Sequence, residues 1–143
     1  EEGDKVQEVM KENGLKRGKN NLEIYVMTEI PSNVVLAEEF AKNFDGFSIG
    51  SNDLTQLTLG IDRDSEIISH LFQEQNPAVK KTISSVINSA HDANRKIGLC
   101  GQAPSDFPEF AGFLVNENID SISFNPDAIA KGMENIINAE KNK

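Results

Sequence analysis

Short apolar segments alternate with helix-like segments along most of the chain, and this alternation restricts the possible folds more than any other feature. The strand-like segments cover residues 22–28, 46–49, 96–100 and 120–124 and are rich in branched and aromatic side chains. Helices are predicted over residues 33–43, 77–95, 106–117 and 127–140, where apolar residues recur at helical spacing. Strands that alternate with helices form βα units and a parallel sheet. The sequence therefore predicts an α/β protein with four parallel strands.

Two architectures contain such βα units. One is an open sheet of the flavodoxin type, and the other is half of a (βα)8 barrel, which closes only with eight strands. Residues 54–72 are predicted to form an inserted loop or a short helix. Residues 1–21 are predicted to be a polar lead-in, with a helix over residues 5–12 that ends at Asn13-Gly14. The α/β unit then occupies residues 22–143, and the pattern alone does not choose between the two architectures.

The acidic composition argues against two classes of partner. Lys and Arg number 14 and Asp and Glu number 23, which gives a net charge of −9. Such a chain has too few cations to neutralise a nucleic-acid backbone, and it has no basic amphipathic segment for a membrane surface. No apolar run is long enough to span a membrane, and a single cysteine favours the reducing cytoplasm. Because the chain begins at Glu1 without Met, we expect it to be part of a longer protein.

Polar residues follow each predicted strand. In parallel α/β proteins, ligands bind at the carboxyl ends of the strands, where the loops gather. We therefore expect one rim to carry two carboxylates, several amides and hydroxyls, and the thiol. The residues predicted at this rim are Glu29, Gly50, Ser51, Asn52, Asp53, Cys100, Gly101, Gln102, Asn125 and Pro126.

Glu29 and Asp53 are the candidate metal ligands. Mg²⁺ prefers one or two protein carboxylates together with substrate and water oxygens. As alternatives, Glu29 caps the helix that follows it, and Asp53 is an ordinary residue of a Gly50–Asp53 turn. The backbone N–H groups of that turn could also face an anion. The residues alone leave these alternatives open.

Cys100 is the candidate for proton transfer. A single cysteine at a strand end often packs as a small buried hydrophobe, but its predicted place at the rim allows acid–base chemistry. His70 and His91 are predicted to be surface or packing residues. The sequence contains no zinc-binding spacing and no glycine-rich nucleotide loop.

Longer motifs extend these signals over residues 22–135, and with them the chain resembles the PEP-utilising enzyme family. That family includes pyruvate phosphate dikinase, the phosphotransferase-system enzyme I and the phosphoenolpyruvate synthases. Within it, the Ser51 form of the loop and the Cys-Gly-Gln stretch favour the synthases. The motifs are Thr28-Glu29-Ile30-Pro31-Ser32, the segment 44–60, Asp62-Arg63-Asp64-Ser65, Asn76-Pro77-Ala78-Val79, Cys100-Gly101-Gln102, Pro104-Ser105-Asp106, Asp120-Ser121-Ile122-Ser123 and Asn125-Pro126-Asp127.

The resemblance implies a fold and a set of roles. The chain corresponds to strands five to eight of the family's PEP/pyruvate-binding (βα)8 barrel. Mg²⁺ is the implied cofactor, with Glu29 and Asp53 as its ligands, and Cys100 is the implied proton-transferring residue. The implied substrate contacts are Glu29, Gly50, Ser51, Asn52 and Asp53. In full, such an enzyme converts pyruvate, ATP and water to phosphoenolpyruvate, AMP and phosphate, a gluconeogenic reaction that runs through a phosphohistidine.

The resemblance also indicates what lies outside this chain. The family's phosphate-binding arginines lie on earlier strands, and its ATP-grasp and phosphohistidine domains, the implied partners, lie earlier still. We therefore expect the isolated chain to be inactive. The alternatives are a related enzyme of the dikinase or enzyme I type and a non-catalytic acidic α/β binding module.

A half barrel also predicts self-association. It leaves two open sheet edges, near residues 22–28 and 120–124, whose unpaired N–H and C=O groups can pair with another chain. It further leaves an inward face uncovered, on which Tyr25, Met27 and Phe47 are expected. We therefore expect a homo-oligomer.

Overall fold

The computed structural model describes residues 2–143 and contains a parallel sheet with the strand order β1-β2-β3-β4. The strands are β1 Tyr25–Thr28, β2 Gly46–Gly50, β3 Lys96–Cys100 and β4 Ser121–Ile122. Each strand pairs in parallel with the next strand along the chain. A doubly wound sheet reverses its strand order, whereas a (βα)8 barrel keeps chain order throughout. The predicted α/β class is confirmed, and the order favours half of a barrel.

One helix, α1, lies in the lead-in segment before β1, and the other helices follow the strands and form the second layer. They are α1 Glu2–Glu12, α2 Pro31–Val35, α3 Ala37–Asn43, α4 Ser51–Leu59, α5 Pro77–Asp92, α6 Ala103–Asp106, α7 Pro108–Asn116 and α8 Ile129–Lys141. Short 3-10 turns occupy Lys19–Asn21, Ser69–Leu71 and Pro126–Ala128. No helix within residues 2–143 combines the length and the apolar character needed to cross a membrane.

Helix α5 shows how local sequence sets an element. Asn76 caps its amino terminus, with the side-chain oxygen accepting a hydrogen bond from Ala78 N at 2.9 Å, and Pro77 takes the first helical position. The residues predicted at helical spacing are buried against the sheet: Val79, Ile83, Val86, Ile87 and Ala90. The helix ends at Asp92, three residues before the predicted end, and Asn94 follows with a left-handed φ of 55°.

Several predicted elements differ from the structure, and β1 and β4 are shorter than predicted. The helix predicted over 33–43 is interrupted at Leu36, which separates α2 from α3. The helix predicted over 106–117 is interrupted at Phe107, which is extended because the residue before a proline disfavours the helical region. The turn predicted at Gly50–Asp53 is wrong, since α4 begins at Ser51 directly after β2. The inserted segment therefore starts with a helix and becomes irregular only after Leu59.

The two faces of the sheet have different surroundings. Phe47, Ile49, Ile97 and Leu99 point to the helices and form the centre of the core. The expectation that Phe47 lies on the uncovered face is wrong, because its register with Ile97 places it on the helix side, fully buried.

The uncovered face consists mainly of small residues. Among its larger side chains, Tyr25 and Met27 are 38% and 45% exposed, as predicted for that face. Gly46 lies under the Tyr25 ring and Gly98 under the Ser121 hydroxyl, so a Cβ at either glycine would collide with its neighbour. The small residues therefore let side chains of adjacent strands lie close to the sheet.

Two aspartates fasten the amino-terminal ends of neighbouring strands. Asp45 N donates to Ile24 O at 2.8 Å, and its carboxylate accepts from Ile24 N at 2.9 Å. Asp120 repeats this arrangement with Ile97, at 3.0 and 2.8 Å. Each aspartate directly precedes a strand, so its side chain supplies an acceptor that extends the ladder and holds the register.

Arg17 attaches the lead-in segment to this end of the sheet. Its Nε and Nη2 donate to the Asp45 carboxylate at 2.9 and 2.7 Å, and its Nη1 donates to Asn43 O at 2.8 Å. These hydrogen bonds hold the pKa of Asp45 below its usual value and raise the pKa of Arg17.

This pair predicts a pH-dependent contribution to stability. Because the folded-state pKa of Asp45 is lowered, the contribution is present above the unfolded-state pKa and is lost as the pH falls through the folded-state pKa. We expect Arg17→Met to lower the free energy of unfolding by about 1 kcal/mol at neutral pH, and the difference from wild type to vanish in acid. Urea denaturation at several pH values measures this.

The control is Lys42→Met, which removes an exposed ion pair with Glu39. It should change the stability little at any pH. A difference for Arg17→Met that persists unchanged into acid would show that the Asp45 contact is not its source.

Candidate functional site

The parallel register brings the predicted rim residues of three strands together. Gly50, the last residue of β2, pairs with Cys100, the last residue of β3. Glu29 directly follows Thr28, whose partner is Ile49. The carboxyl ends of β1, β2 and β3 therefore form one continuous rim.

Glu29 packs against Gly50. A Cβ built on Gly50 would lie 3.1 Å from Glu29 Cβ and 3.2 Å from Glu29 Oε2, so the glycine leaves room for this side chain. The amino terminus of α2 is closed by Asn33, whose side-chain oxygen accepts from the backbone N–H groups of Glu29 and Ile30, each at 3.3 Å. Glu29 is therefore not the helix cap that one alternative proposed.

Asp53 lies in the first turn of α4, three residues beyond Gly50. Both Glu29 and Asp53 are half-buried. Within residues 2–143, no side chain or backbone group forms a hydrogen bond or ion pair with either carboxylate. No group of three or more Asp, Glu, His or Cys residues that could hold a metal ion occurs in this part of the chain. A pair of carboxylates without protein partners fits Mg²⁺, which takes its remaining ligands from substrate and water.

Cys100 lies on the uncovered face of the sheet at the same rim. Its Sγ is 3.3 Å from Ser48 Oγ and 3.7 Å from Met27 Sδ. The side chain is half-buried and is not part of the hydrophobic core. The thiol therefore has a hydroxyl neighbour and access to a ligand above the sheet.

Ser51 and Asn52 open α4, and both contact a carboxylate that sequence reasoning missed. Ser51 Oγ donates to Glu74 Oε1 at 2.8 Å. The Asn52 amide satisfies both of its ends when its nitrogen donates to Glu74 Oε1 at 3.1 Å and its oxygen accepts from Arg63 Nη1 at 2.9 Å. Glu74 is only 6% exposed. It stands in the polar segment Gln73-Glu74-Gln75-Asn76, and nothing in that local pattern indicates burial.

Burial raises the pKa of Glu74 above its usual value. The hydrogen bond from Ser51 opposes this rise, the negative charge of Asp106 adds to it, and the positive charge of Arg63 opposes it. The corner of the site at α4 therefore contains a buried acid whose charged form depends on its hydrogen bonds.

Of the remaining predicted residues, only some lie in this corner of the site. Gln102 reaches this corner, with its side-chain oxygen 3.5 Å from the Asn52 amide nitrogen in the amide's opposite orientation. Asn125 instead donates its backbone N–H to Ser105 Oγ at 3.0 Å, beside α6. His70 is exposed, and His91 pairs with Asp120 at the opposite end of the sheet, which confirms both as surface or packing residues.

Gly101 is closely confined by the same corner. A Cβ there would collide with Ser51 Oγ and lie 3.1 Å from Ser51 Cβ, and Ser51 is fully buried. We expect Gly101→Ala to lower the free energy of unfolding by about 3 kcal/mol, because a packed residue must move and because the positive φ of 154° at Gly101 disfavours a residue with a Cβ. Thermal unfolding measures the loss.

Gly60→Ala is the matched control for Gly101→Ala. Gly60 has a left-handed φ of 66° but nothing within 4 Å of a Cβ, so it tests backbone strain without crowding. We expect a loss of about 1 kcal/mol there. Equal losses at both positions would contradict the crowding argument.

A sequence model of one protein family matches almost the whole chain. Its description is PEP-utilising enzyme, PEP-binding domain, and the match covers residues 2–141. The chain belongs to this family. The resemblance found in the sequence is therefore confirmed.

Members of this family include relatives of high identity. Phosphoenolpyruvate synthase from Aquifex aeolicus is 62% identical over 141 residues, which is 99% of this chain and 16% of the relative. The synthase from Synechocystis is 61% identical and that from Helicobacter pylori 55% identical, each over 99% of this chain and 17% of the relative. This PEP-binding-domain chain thus spans about a sixth of the length of these relatives.

A solved structure supports the fold. A HpcH/Hpal aldolase/citrate lyase family protein from Burkholderia cenocepacia superposes with a TM-score of 0.59 at 17% identity. The likeness covers 94% of this chain and 48% of that chain. It agrees with a chain that forms half of a larger α/β fold.

Proposed function

We propose that this chain is the carboxyl-terminal half of the PEP/pyruvate-binding barrel of a phosphoenolpyruvate synthase. The barrel half occupies residues 22–143, and residues 1–21 are its lead-in. The observation that supports the proposal is the strand register, which pairs Gly50 with Cys100 at the ends of β2 and β3, with Glu29 packed against Gly50 and Asp53 in the first turn of the helix that follows. The high identity to synthases supports this reaction over that of a dikinase or enzyme I. The full protein would act in the cytoplasm.

The proposed reaction begins with proton removal. Pyruvate loses a proton from its methyl carbon, and the enolate oxygen then attacks the phosphorus of a phosphohistidine, so that a P–O bond forms while the P–N bond breaks and the histidine leaves as imidazole. The Cys100 thiolate would accept this proton on Sγ, and Ser48 Oγ, at 3.3 Å, would donate a hydrogen bond to the thiolate. The position of Cys100 on the uncovered face lets the thiol reach a substrate that lies above the sheet.

Glu29 and Asp53 would hold Mg²⁺. Bound there, the ion supplies positive charge that stabilises the developing enolate. The substrate contacts would come from Gly50, Ser51 and Asn52, because the first N–H groups of a helix have no partner inside the helix. Gly50 has no side chain to block the approach of a ligand.

Other parts of the full protein would complete the reaction. The ATP-grasp and phosphohistidine domains would form and carry the phosphoryl group, so the isolated chain would be inactive. The two sheet edges and the uncovered face would favour a homo-oligomer. The alternative of a non-catalytic binding module has less support, because the chain retains Glu29, Asp53 and Cys100, the residues to which the resemblance assigns roles, and is 62% identical to a phosphoenolpyruvate synthase.

Metal binding tests the carboxylate pair. We expect Mg²⁺ to bind weakly in the presence of oxalate or pyruvate, and Asp53→Ala to abolish the binding heat in isothermal titration. Asp92→Ala, at the exposed last residue of α5, is the control that should bind as the wild type does. Identical heats for the wild type and Asp53→Ala would refute the assignment.

A substitution of Cys100 is expected to affect one of two partial reactions and to spare the other. In the full-length enzyme, we expect Cys100→Ala to reduce phosphoenolpyruvate formation by at least about 100-fold. ATP-driven phosphorylation of the histidine should stay nearly intact, because that step uses other domains. Product formation and labelling of the histidine are measured in parallel. Loss of both together would indicate a structural role for Cys100.

A further inference from the structure

Glu74 is a buried carboxylate that the proposed reaction does not use. We propose that Glu74 is a positioning residue, which holds the Ser51 hydroxyl and the Asn52 amide so that an anionic substrate binds to backbone N–H groups at the start of α4. This inference rests on the proposed function, since it assumes that the ligand is pyruvate or its enolate.

The contacts form a chain across the corner of the site. Glu74 Oε1 accepts from Ser51 Oγ at 2.8 Å and from the Asn52 amide at 3.1 Å, and the other end of that amide accepts from Arg63 at 2.9 Å. Ser51 is fully buried and Glu74 nearly so. A buried carboxylate is tolerated only when hydrogen bonds compensate its lost hydration. The Ser51 hydroxyl and the Asn52 amide are therefore held in place by their hydrogen bonds to the Glu74 carboxylate.

The single hydrogen of the Ser51 hydroxyl determines which donors remain for a ligand. A serine hydroxyl has one hydrogen, and here that hydrogen is directed to Glu74. The carboxylate and carbonyl oxygens of pyruvate can only accept. The Ser51 hydroxyl is thus unable to donate to the substrate while it donates to Glu74. The donors that remain are the free backbone N–H groups of the first turn of α4 and the second hydrogen of the Asn52 amide.

Glu74 also joins two parts of the chain. It belongs to the irregular segment between Gly60 and Asn76, whereas Ser51 begins α4, 23 residues earlier. Glu74 also lines a cavity of about 400 Å³, together with residues that include Phe72, Gln102 and Asp106. Without the carboxylate, the Ser51 hydroxyl would lose the acceptor that lies 2.8 Å away, and the Asn52 amide would lose its contact with Glu74. The first turn of α4 would then lose the contact that fixes its side chains.

Steady-state kinetics of the full-length enzyme test the proposal, with residues numbered as in this chain. We expect Glu74→Ala to raise the KM for pyruvate about tenfold, the effect of one strong hydrogen bond. The kcat should change less than about threefold, because Cys100 is held by contacts that do not involve Glu74. Glu74→Gln should stay within about threefold of the wild-type KM, since its amide oxygen can accept the Ser51 hydroxyl.

A double-mutant cycle separates positioning from a general loss of stability. If Glu74 acts through Ser51, Glu74→Ala adds little to the KM of Ser51→Ala, although their effects on thermal unfolding are free to add. Glu66→Gln, on an exposed carboxylate of the same inserted segment, is the control and should match the wild type. If Glu74→Ala does not fold, Glu74→Met, which fills the volume without an acceptor, replaces it with the same expectations.

Two results would overturn the positioning role. One is an unchanged KM in Glu74→Ala, and the other is a rise in KM that adds fully to that of Ser51→Ala. A wild-type enzyme without pyruvate-dependent formation of AMP would instead refute the proposed function, so the two failures are distinguishable.

Discussion

The parallel pairing of β1, β2 and β3 is the constraint on which the rest of the structure depends. Its register aligns Val26, Phe47 and Ile97 in one row and Met27, Ser48 and Gly98 in the next. The first row packs against the helices, and the second faces outward without a covering layer. Because all strands run the same way, their carboxyl ends meet at a single rim. The core, the uncovered face and the candidate site all follow from this pairing.

Charge repulsion opposes the binding of an anionic substrate at an acidic rim. The proposed substrate is an anion, and the chain carries a net charge of −9. Among residues 2–143, no cation forms an ion pair with Glu29 or Asp53, so in the proposed site a bound divalent cation would neutralise both carboxylates and would also attract the substrate. Glu74 is instead compensated within the protein, by Ser51, Asn52 and the nearby Arg63. The site thus contains acids of two kinds: Glu29 and Asp53, which the proposal assigns to a metal ion, and Glu74, which is compensated by hydrogen bonds within the protein.

The local sequence predicted the type and position of the helices and strands better than the residues at which they begin and end. The apolar spacing of α5 and the residues of β3 agree with the structure, because both patterns report burial within one segment. The interruption at Leu36 and the short β4 depend on packing between segments, which periodicity does not describe. The face on which Phe47 lies depends on register with neighbouring strands, and a shift by one residue would reverse it.

The sequence by itself determined the α/β class, the likeness to the PEP-binding domain family and the candidate residues Glu29, Asp53 and Cys100. These conclusions needed only residue types in chain order, since motifs and periodicity are local. The burial of Glu74, the Asn33 cap that leaves the Glu29 carboxylate unused, and the helical start at Ser51 were decided by the tertiary structure. Each of these features arises where segments distant in the chain meet. There, the desolvation of a polar group depends on neighbours that a local sequence pattern does not predict.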